Sequence, residues 1–475
     1  MRIVCITLLS ALLVCHLGAQ DVWTLQQCID HATDQNLTLR QAQANVRAGI
    51  VAEKQAKSTR LPNLNASATL GEQFGRTIDP TTNQFNNSGI AFNSFGLNAN
   101  IPLFNGGLIH HSIRRAAADR RASEADAENA AQSLYLQIAQ AYLTVLLATE
   151  QQEAAQRRLT LSAKQMDNTR KLVDAGSLPQ VEMLLMDAQI SREEQGAVAA
   201  VNNLDLAYLN LKQLLQLEPD YNMVVDRPDI KIPQEADPDN LGFANVYSTA
   251  EATQPSVRAA QHRIAGAQEG IKIAKAAYWP SLNGFANLRT NYSSQFLQPE
   301  FTGNLVVGPT QNILVNGQPV EINTLQPEFT LSKIPYFQQL DNNFGQGFGV
   351  GMTVPIYQNG QTQLNVERAR LNVLSAELQH NQARQQLKND VQSALASGKA
   401  GKRQLDAAQK SFRAAQLAYQ NTEKRHSIGA ANSLELNTAK TNMDNAENDL
   451  LVARYDYLFR LKIIDFYLGK PITIN

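Results

Sequence analysis

The sequence predicts a mostly α-helical protein that also carries β-strands, built from two tandem repeats. Three observations predict it. Motifs recur in order at a fixed offset, long proline-free stretches hold a seven-residue apolar register, and four short segments alternate with a period of two. Setting Pro62 against Pro280 aligns Ala32, Arg40, Ala42, Gln43, Leu64 and Asn65 with Ala250, Arg258, Ala260, Gln261, Leu282 and Asn283. Setting Pro102 against Pro355 aligns Phe95-Gly96, Arg115-Ala116, Gly176 and Glu182 with Phe348-Gly349, Arg368-Ala369, Gly429 and Glu435. The second offset exceeds the first, so copy two carries one long insertion between its two prolines.

Residues 1–20 read as a secretory signal peptide, with Arg2, an apolar stretch from Ile3 to Leu17 and small residues at the end. Cleavage is expected after Ala19 or Gln20. Val14 stands before Cys15 where an acylated lipoprotein needs a small residue, which disfavours lipidation. Beyond the signal Cys28 is the only cysteine, so no intramolecular disulfide is expected, and a helical Cys28 reads as a small core residue.

Repeat 1 spans 21–216. Thr24 and Asn36 are placed to cap its first helices, which run to about Arg60. After Pro62 the period changes to two: Leu64, Ala66, Ala68 and Leu70 alternate with Asn65, Ser67 and Thr69, and a second alternation leads to Pro102. Strands are expected at about 62–75 and 90–104. From Gly107 to Gly176 a bulky seam (Ile138, Val145, Leu159, Met166, Val173, with Gln152 its polar member) runs beside a small one (Leu134, Ala141, Ala148, Ala155, Ser162, Thr169). That heptad pattern suits packed, supercoiled helices. At about 1.5 Å per residue such a helix extends roughly 100 Å.

Residues 217–245, with Pro219, Pro228, Pro233 and Pro238, read as an irregular linker holding at most one short helix. Repeat 2 spans 246–475. Pro255 suits a first helical turn, and strands are expected at about 280–296 and 342–357. The glycines from Gly345 to Gly351 read as one face of a strand, not a phosphate loop. The inserted length, 297–341, contains Leu297-Gln298-Pro299-Glu300-Phe301-Thr302 and its copy Leu325-Gln326-Pro327-Glu328-Phe329-Thr330. It is expected at the outer surface or folded inward as a plug.

Composition excludes several functions. Of 475 residues, 42 are Lys or Arg and 43 are Asp or Glu, so the net charge of -1 gives no basis for nucleic-acid binding. No nucleophile elbow, His-Glu-x-x-His or Walker loop is present, so no enzyme activity, cofactor or metal is expected. His110 and His111 are neighbours whose side chains diverge on a helix. The four junction prolines, Pro62, Pro102, Pro280 and Pro355, break the chain where helix becomes strand or the reverse.

Leu61-Pro62 and Trp279-Pro280, then Ile101-Pro102-Leu103-Phe104-Asn105-Gly106-Gly107 and Val354-Pro355-Ile356-Tyr357-Gln358-Asn359-Gly360, then Gly176 with Glu182 and Gly429 with Glu435, recur in order twice. In this the chain resembles the TolC-like outer-membrane efflux and secretion channels. The resemblance implies a homotrimer in which each protomer gives four strands to a shared 12-stranded β-barrel in outer-membrane lipid. Its long antiparallel helices form a trimeric α-barrel across the periplasm. It further implies a passive exit duct that docks to a periplasmic adaptor (membrane fusion) protein and an inner-membrane transporter. Four strands leave two open edges, which lipid does not tolerate, so closure by oligomerisation also follows from physics. An eight-stranded dimer would fill its interior with side chains, so a conducting tube favours three copies.

The periplasmic mouth is expected at Gly176, Ser177 and Pro179 and at Gly429 and Asn432, turns on which the adaptor is also expected to dock. Glu182 and Glu435 would form carboxylate rings there while serving as helix-capping acids. Thr438 and Ala431 replace residues that the family's type member uses at its gate, so those contacts do not carry over. The competing function is a coiled-coil envelope tether or adaptor without a pore, which has no use for four alternating segments. No motif identifies the cargo.

Overall fold

The computed structural model describes residues 21–78, 83, 85–86, 89–228, 237–315, 317–428 and 430–471. The signal segment 1–20 and Gly429 lie outside the described residues. Copy one runs β1 (Asp21–Trp23), α1 (Leu25–Gln35), α2 (Leu37–Ser58), β2 (Asn63–Gln73), the two-residue strands β3 (Thr77–Ile78) and β4 (Phe85–Asn86), β5 (Ile90–Asn105), α3 (Leu108–Asp174) and α4 (Val181–Leu215). Strand β6 (Met223–Val225) and a 3-10 turn (Pro238–Asn240) follow. Copy two runs α5 (Phe243–Thr253), α6 (Pro255–Ala276), β7 (Ser281–Ser293), β8 (Leu297–Val307), β9 (Gln311–Val315), β10 (Gln318–Ile322) and β11 (Leu325–Lys333). It ends with α7 (Tyr336–Asn342), β12 (Gly345–Thr353), α8 (Gln361–Ser427) and α9 (Ser433–Tyr467). The equivalent helices match in length: 11 residues for α1 and α5, 22 for α2 and α6, 67 for α3 and α8, and 35 for α4 and α9.

Local chemistry sets these boundaries. Thr24 and Gln27 form a reciprocal capping box at the start of α1. Between α1 and α2, Asn36 Oδ1 accepts from the N–H groups of Thr38 and Leu39, and its amide donates to the Leu214 carbonyl at 3.1 Å. In copy two, Pro255 opens α6 at the same point. The strand-to-helix turns use left-handed backbone in both copies: Gly106 (φ 62°) and Gly107 (84°), then Asn359 (50°) and Gly360 (72°). A Cβ on Gly106 would lie 2.6 Å from the Ala276 carbonyl oxygen, so only glycine fits.

The chain divides into two compact units. One comprises the residues up to Val51, Ala117–Gly266 and Val373–Asn475; the other comprises Ala52–Ala116 and Ala267–Asn372. In the first, Cys28 and Ile29 of α1, Ile138, Tyr142 and Val145 of α3, and Leu211 and Leu215 of α4 pack with Met223 and Val225 of β6. A second core joins Val246 and Ala250 of α5 to Leu387 and Val391 of α8 and Ile464 of α9. Two glycines of α8, one in each heptad seam, admit neighbouring side chains. A Cβ on Gly398 would meet Ile464 Cδ1 at 2.7 Å, and one on Gly401 would meet Arg460 Cδ at 2.9 Å.

Within the segment read as an irregular linker, the described residues 217–228 and 237–245 include short ordered elements. β6 pairs in parallel with β1, and Lys402 clamps the 3-10 turn through Asp237 (2.8 Å) and Asp239 (3.0 Å). α5 begins at Phe243, inside the span assigned to the linker.

The second unit holds one four-stranded antiparallel sheet in the order β12-β7-β5-β2. Pro62 and Pro280 each precede a strand by one residue, and Pro102 lies at a register shift in β5. β12 ends at Thr353, short of the expected 357. Pro355 has no N–H to continue a ladder, and α7 occupies the chain before Gly345. The insertion is a β-ribbon: β8 pairs antiparallel with β11, and β9 with β10. The two copies of the Leu-Gln-Pro-Glu-Phe-Thr motif thus face each other, with Phe301 opposite Phe329.

Candidate channel-forming surfaces

Paired residues in an antiparallel sheet project from the same face, so the register sorts the strands into two surfaces. Leu64, Ala99, Ala286 and Phe348 form one row across β2, β5, β7 and β12, and Ile101, Gly284 and Val350 lie in the next. This apolar face has no cover over much of its area: Leu64 is 66% exposed and Phe348 90%. The opposite face carries the row Asn65, Asn98, Asn287 and Gly347, flanked by Asn63 with Asn100 and by Ser67 with Arg289. Its glycines in β12 seat side chains of β7. A Cβ on Gly349 would lie 2.7 Å from the Phe285 ring, and one on Gly347 would lie 2.5 Å from Asn287 Oδ1.

A sheet with one lipid-compatible face, one hydratable face and strands of 9–16 residues has the dimensions of a transmembrane barrel wall, which needs about 9–11 residues per strand. Among the described residues its free edges are β2 and β12. No helix among the described residues is long and apolar enough to cross a membrane.

The turn after α3 is closed by glycine. Gly176 adopts φ 74°, its N–H donates to the Val173 carbonyl, and the Ser177 N–H donates to the Leu172 carbonyl at 2.8 Å. This is the Schellman arrangement. The second turn makes the equivalent long bond from the Ala430 N–H to the Arg425 carbonyl, also at 2.8 Å. Ser177 and Pro179 are exposed, and the Pro179 carbonyl accepts from the Glu182 N–H. Asn432 caps α9 by accepting from the Glu435 N–H at 2.8 Å.

The two acids differ in their surroundings. Glu182 is half-buried in the first turn of α4, with Oε2 buried and without a hydrogen-bond partner. Glu435 is exposed, and Arg425 lies 3.6 Å from its carboxylate. Among the described residues, no hydrogen bond joins the two turns.

Sequence reasoning missed a buried polar cluster farther along the same helices. Lys440 of α9, 1% exposed, donates to Ser162 of α3 at 2.6 Å and lies 3.4 Å from Glu193 of α4. Asp444, one turn on, faces Arg158 at 3.9 Å. Burial pushes the Asp444 carboxyl up to about 6, with Glu193 and Glu447 adding to the rise and Arg158 and Lys440 opposing it. Tyr419 of α8 bonds Glu423 and accepts from Gln165 of α3. All four long helices therefore meet here. Ser162 was legible as a small heptad position, but nothing in the periodicity singles out Lys440. His111, by contrast, pairs with Glu269 at 2.7 Å.

Residues 28–216 and 323–470 match the sequence model of a family described as outer membrane efflux protein. The chain is 24% identical over 357 residues to the outer membrane protein TolC of Escherichia coli (strain K12), covering 72% of this chain and 62% of that protein. It thus spans about three-fifths of that relative's length. Against the outer membrane efflux protein BepC of Brucella suis it is 22% identical over 446 residues, covering 92% of this chain and 84% of that one. Among solved structures, the outer membrane protein VceC of Vibrio cholerae superposes with a TM-score of 0.73 at 16% identity, over 94% of this chain and 96% of that one. The open-state MtrE outer membrane channel of Neisseria gonorrhoeae superposes with a TM-score of 0.69 at 22% identity, over 95% and 90%. These likenesses extend to the fold: mostly helical, with strands and tandem repeats. With the family match spanning most of both repeats, the protein belongs to the outer membrane efflux protein family and is an outer-membrane protein.

Proposed function

We propose that three copies close their sheets into one 12-stranded barrel and form a passive outer-membrane exit duct. The observation that carries this reading is the two-faced sheet with open edges at β2 and β12. An unpaired edge in lipid leaves backbone N–H and C=O groups without partners, at several kcal/mol for each group. Pairing β2 of one copy with β12 of the next satisfies both edges at once. The asparagine-rich face then lines a water-filled lumen, and the apolar face meets lipid.

The helices would continue the conduit into the periplasm, with its mouth at the Gly176–Pro179 and Gly429–Asn432 turns. Six carboxylates, Glu182 and Glu435 from each copy, would bias the mouth towards cations. A periplasmic adaptor would dock on the same turns and couple the duct to an inner-membrane transporter, which supplies the energy. A duct needs no covalent chemistry from this chain. Its residues hold a hydrated path open and set the field along it. A tether or adaptor without a pore is disfavoured, because it has no use for a sheet that exposes Leu64 and Phe348.

The experiment is crosslinking and conductance. Cysteines at Leu64 and at Phe348 or Val350 share a face on opposite edges, so oxidation is expected to give covalent dimers and trimers. Purified protein is expected to conduct in planar bilayers. A stable monomer in detergent that neither crosslinks nor conducts refutes the duct.

A further inference from the structure

The four strands of the sheet carry only two charged side chains, Glu72 and Arg289. Register assigns them to opposite faces. Glu72 pairs with Ala91 near the end of β2 and shares the parity of Leu64 and Leu70, on the apolar face. Arg289 pairs with Gly96 on one side and Gly345 on the other, within the asparagine-rich face. It is therefore the only charge on the polar face of the paired strands. Its side chain is exposed and leans over β12, since a Cβ on Gly345 would meet Arg289 Cγ and Nε at 3.5 Å. Among the described residues it has no ion-pair partner.

A guanidinium is charged at every physiological pH and offers five donors to carboxylate, phosphate or sulfate groups. One left without a carboxylate among neutral amides and glycines has no structural ion pair to explain it. The neighbouring glycines also leave its approach open.

We infer that Arg289 makes the barrel lumen an anion-recruiting filter, three guanidiniums at one level favouring solutes that carry carboxylate, phosphate or sulfate groups. This rests on the duct reading above, because only closure of three copies turns the polar face into a lumen. The barrel filter and the acidic mouth then act in series with opposite sign. Cations gather at the mouth, while the barrel holds back small cations and passes anions.

The size of the effect follows from geometry. Twelve strands about 4.8 Å apart, tilted by about 40°, close at a radius of about 12 Å. Three unit charges about 10–12 Å from the axis in water, screened over about 8 Å, raise the axial anion-to-cation ratio about two- to threefold in physiological salt. At 0.01 M salt, where screening extends over about 30 Å, the increase is about ten- to twentyfold.

The test is the zero-current potential across a potassium chloride gradient in planar bilayers. Wild type, Arg289→Gln, Arg289→Lys and Arg289→Glu are compared, each also in a Glu182→Gln/Glu435→Gln background so that the mouth does not mask the barrel. Arg289→Gln is expected to lower the chloride-to-potassium permeability ratio by the factors above, Arg289→Lys to retain it, and Arg289→Glu to invert the preference. Arg289→Cys gives the same answer without depending on assembly of the other variants. A cationic methanethiosulfonate added to the assembled channel is expected to restore anion preference, and an anionic one to reverse it. Unchanged ratios at 0.01 M in both backgrounds, from channels of wild-type conductance, overturn the filter and leave the duct standing. Assembled wild-type protein that carries no current overturns the duct, and the filter with it.

Discussion

Replacing Asp444 with asparagine is expected to stabilise the helices around it at neutral pH and to do nothing in acid. The carboxyl is buried between α3, α4 and α9, and burial lifts it from the usual 3.8 to about 6, with Arg158 and Lys440 offsetting only part of the cost. A carboxyl raised in the folded state favours folding most below pH 3.8, where it is protonated in both states. That advantage is lost between 3.8 and about 6, and above about 6 the buried charge carries its full penalty. The difference corresponds to at most about 3 kcal/mol. Residual solvent access and the need to hydrogen-bond the new amide reduce this to about 1–2 kcal/mol. The assay is amide hydrogen exchange over 437–450, corrected for intrinsic rates. Exchange in Asp444→Asn is expected to slow about 5- to 30-fold at pH 8 and to match wild type at pH 4. Faster exchange at pH 8 would mean that Arg158 and Lys440 stabilise the ionised carboxylate by more than burial costs, refuting the reasoning.

Four further predictions concern packing, helix propensity, the thiol and the mouth. Gly398→Val should lower the thermal midpoint, at about 1–3 kcal/mol, because Ile464 already fills that space. Gly196→Ala, with nothing within 4 Å, should be neutral or stabilise by up to about 1 kcal/mol through helix propensity, as thermal circular dichroism would register. Cys28 is fully buried with its thiol pushed up to about 12 by burial, so maleimide should label it only on unfolding; rapid labelling of native protein at pH 8 would contradict the core around α1. At the mouth, Glu182→Gln should reduce cation selectivity more than Glu435→Gln, and Arg425→Gln should increase it, because Arg425 lies 3.6 Å from Glu435. Reversal potentials that rank the two acids the other way would place the mouth's field elsewhere.

Much of the fold was legible because burial repeats. Ile138 and Val145 fall seven residues apart, and both are fully buried. In copy two Gly401 continues the small seam, while Gly398 stands in the bulky seam where copy one has Val145, and Ile464 and Arg460 need the room. The caps at Thr24 and Asn36 were legible for a different reason: each satisfies N–H groups that every helix leaves free. Short pairings were not legible. β1 and β6 have three residues each, too few to display a period, and they meet only because α1, α3 and α4 hold both against one core. The ribbon was obscured by Pro299 and Pro327, which argue against interior strands. A two-stranded ribbon consists only of edges, where alternate N–H groups face away from the partner strand, so it accommodates proline more readily than an interior strand.

The candidate site divides along the same line. The surfaces proposed to form the channel wall are periodic, so alternation marked the apolar and polar faces from Leu64 to Val354 before any pairing was known. The charges at Arg289 and Lys440 belong to single residues. Arg289 was within reach of the sequence, because once Leu282, Gly284, Ala286 and Leu288 are assigned to one face, parity places residue 289 on the other. Lys440 was not, since its burial depends on Ser162 and Glu193, more than 240 positions away in the chain. Repeats build the wall and the helices twice over, but neither Arg289 nor Lys440 is duplicated: the equivalent of Arg289 is Gly71, and that of Lys440 is Asp187. The proposed barrel charge therefore sits where the two copies differ, whereas the mouth acids Glu182 and Glu435 are repeated, and substitutions at Arg289 should alter conduction while leaving the repeat architecture intact.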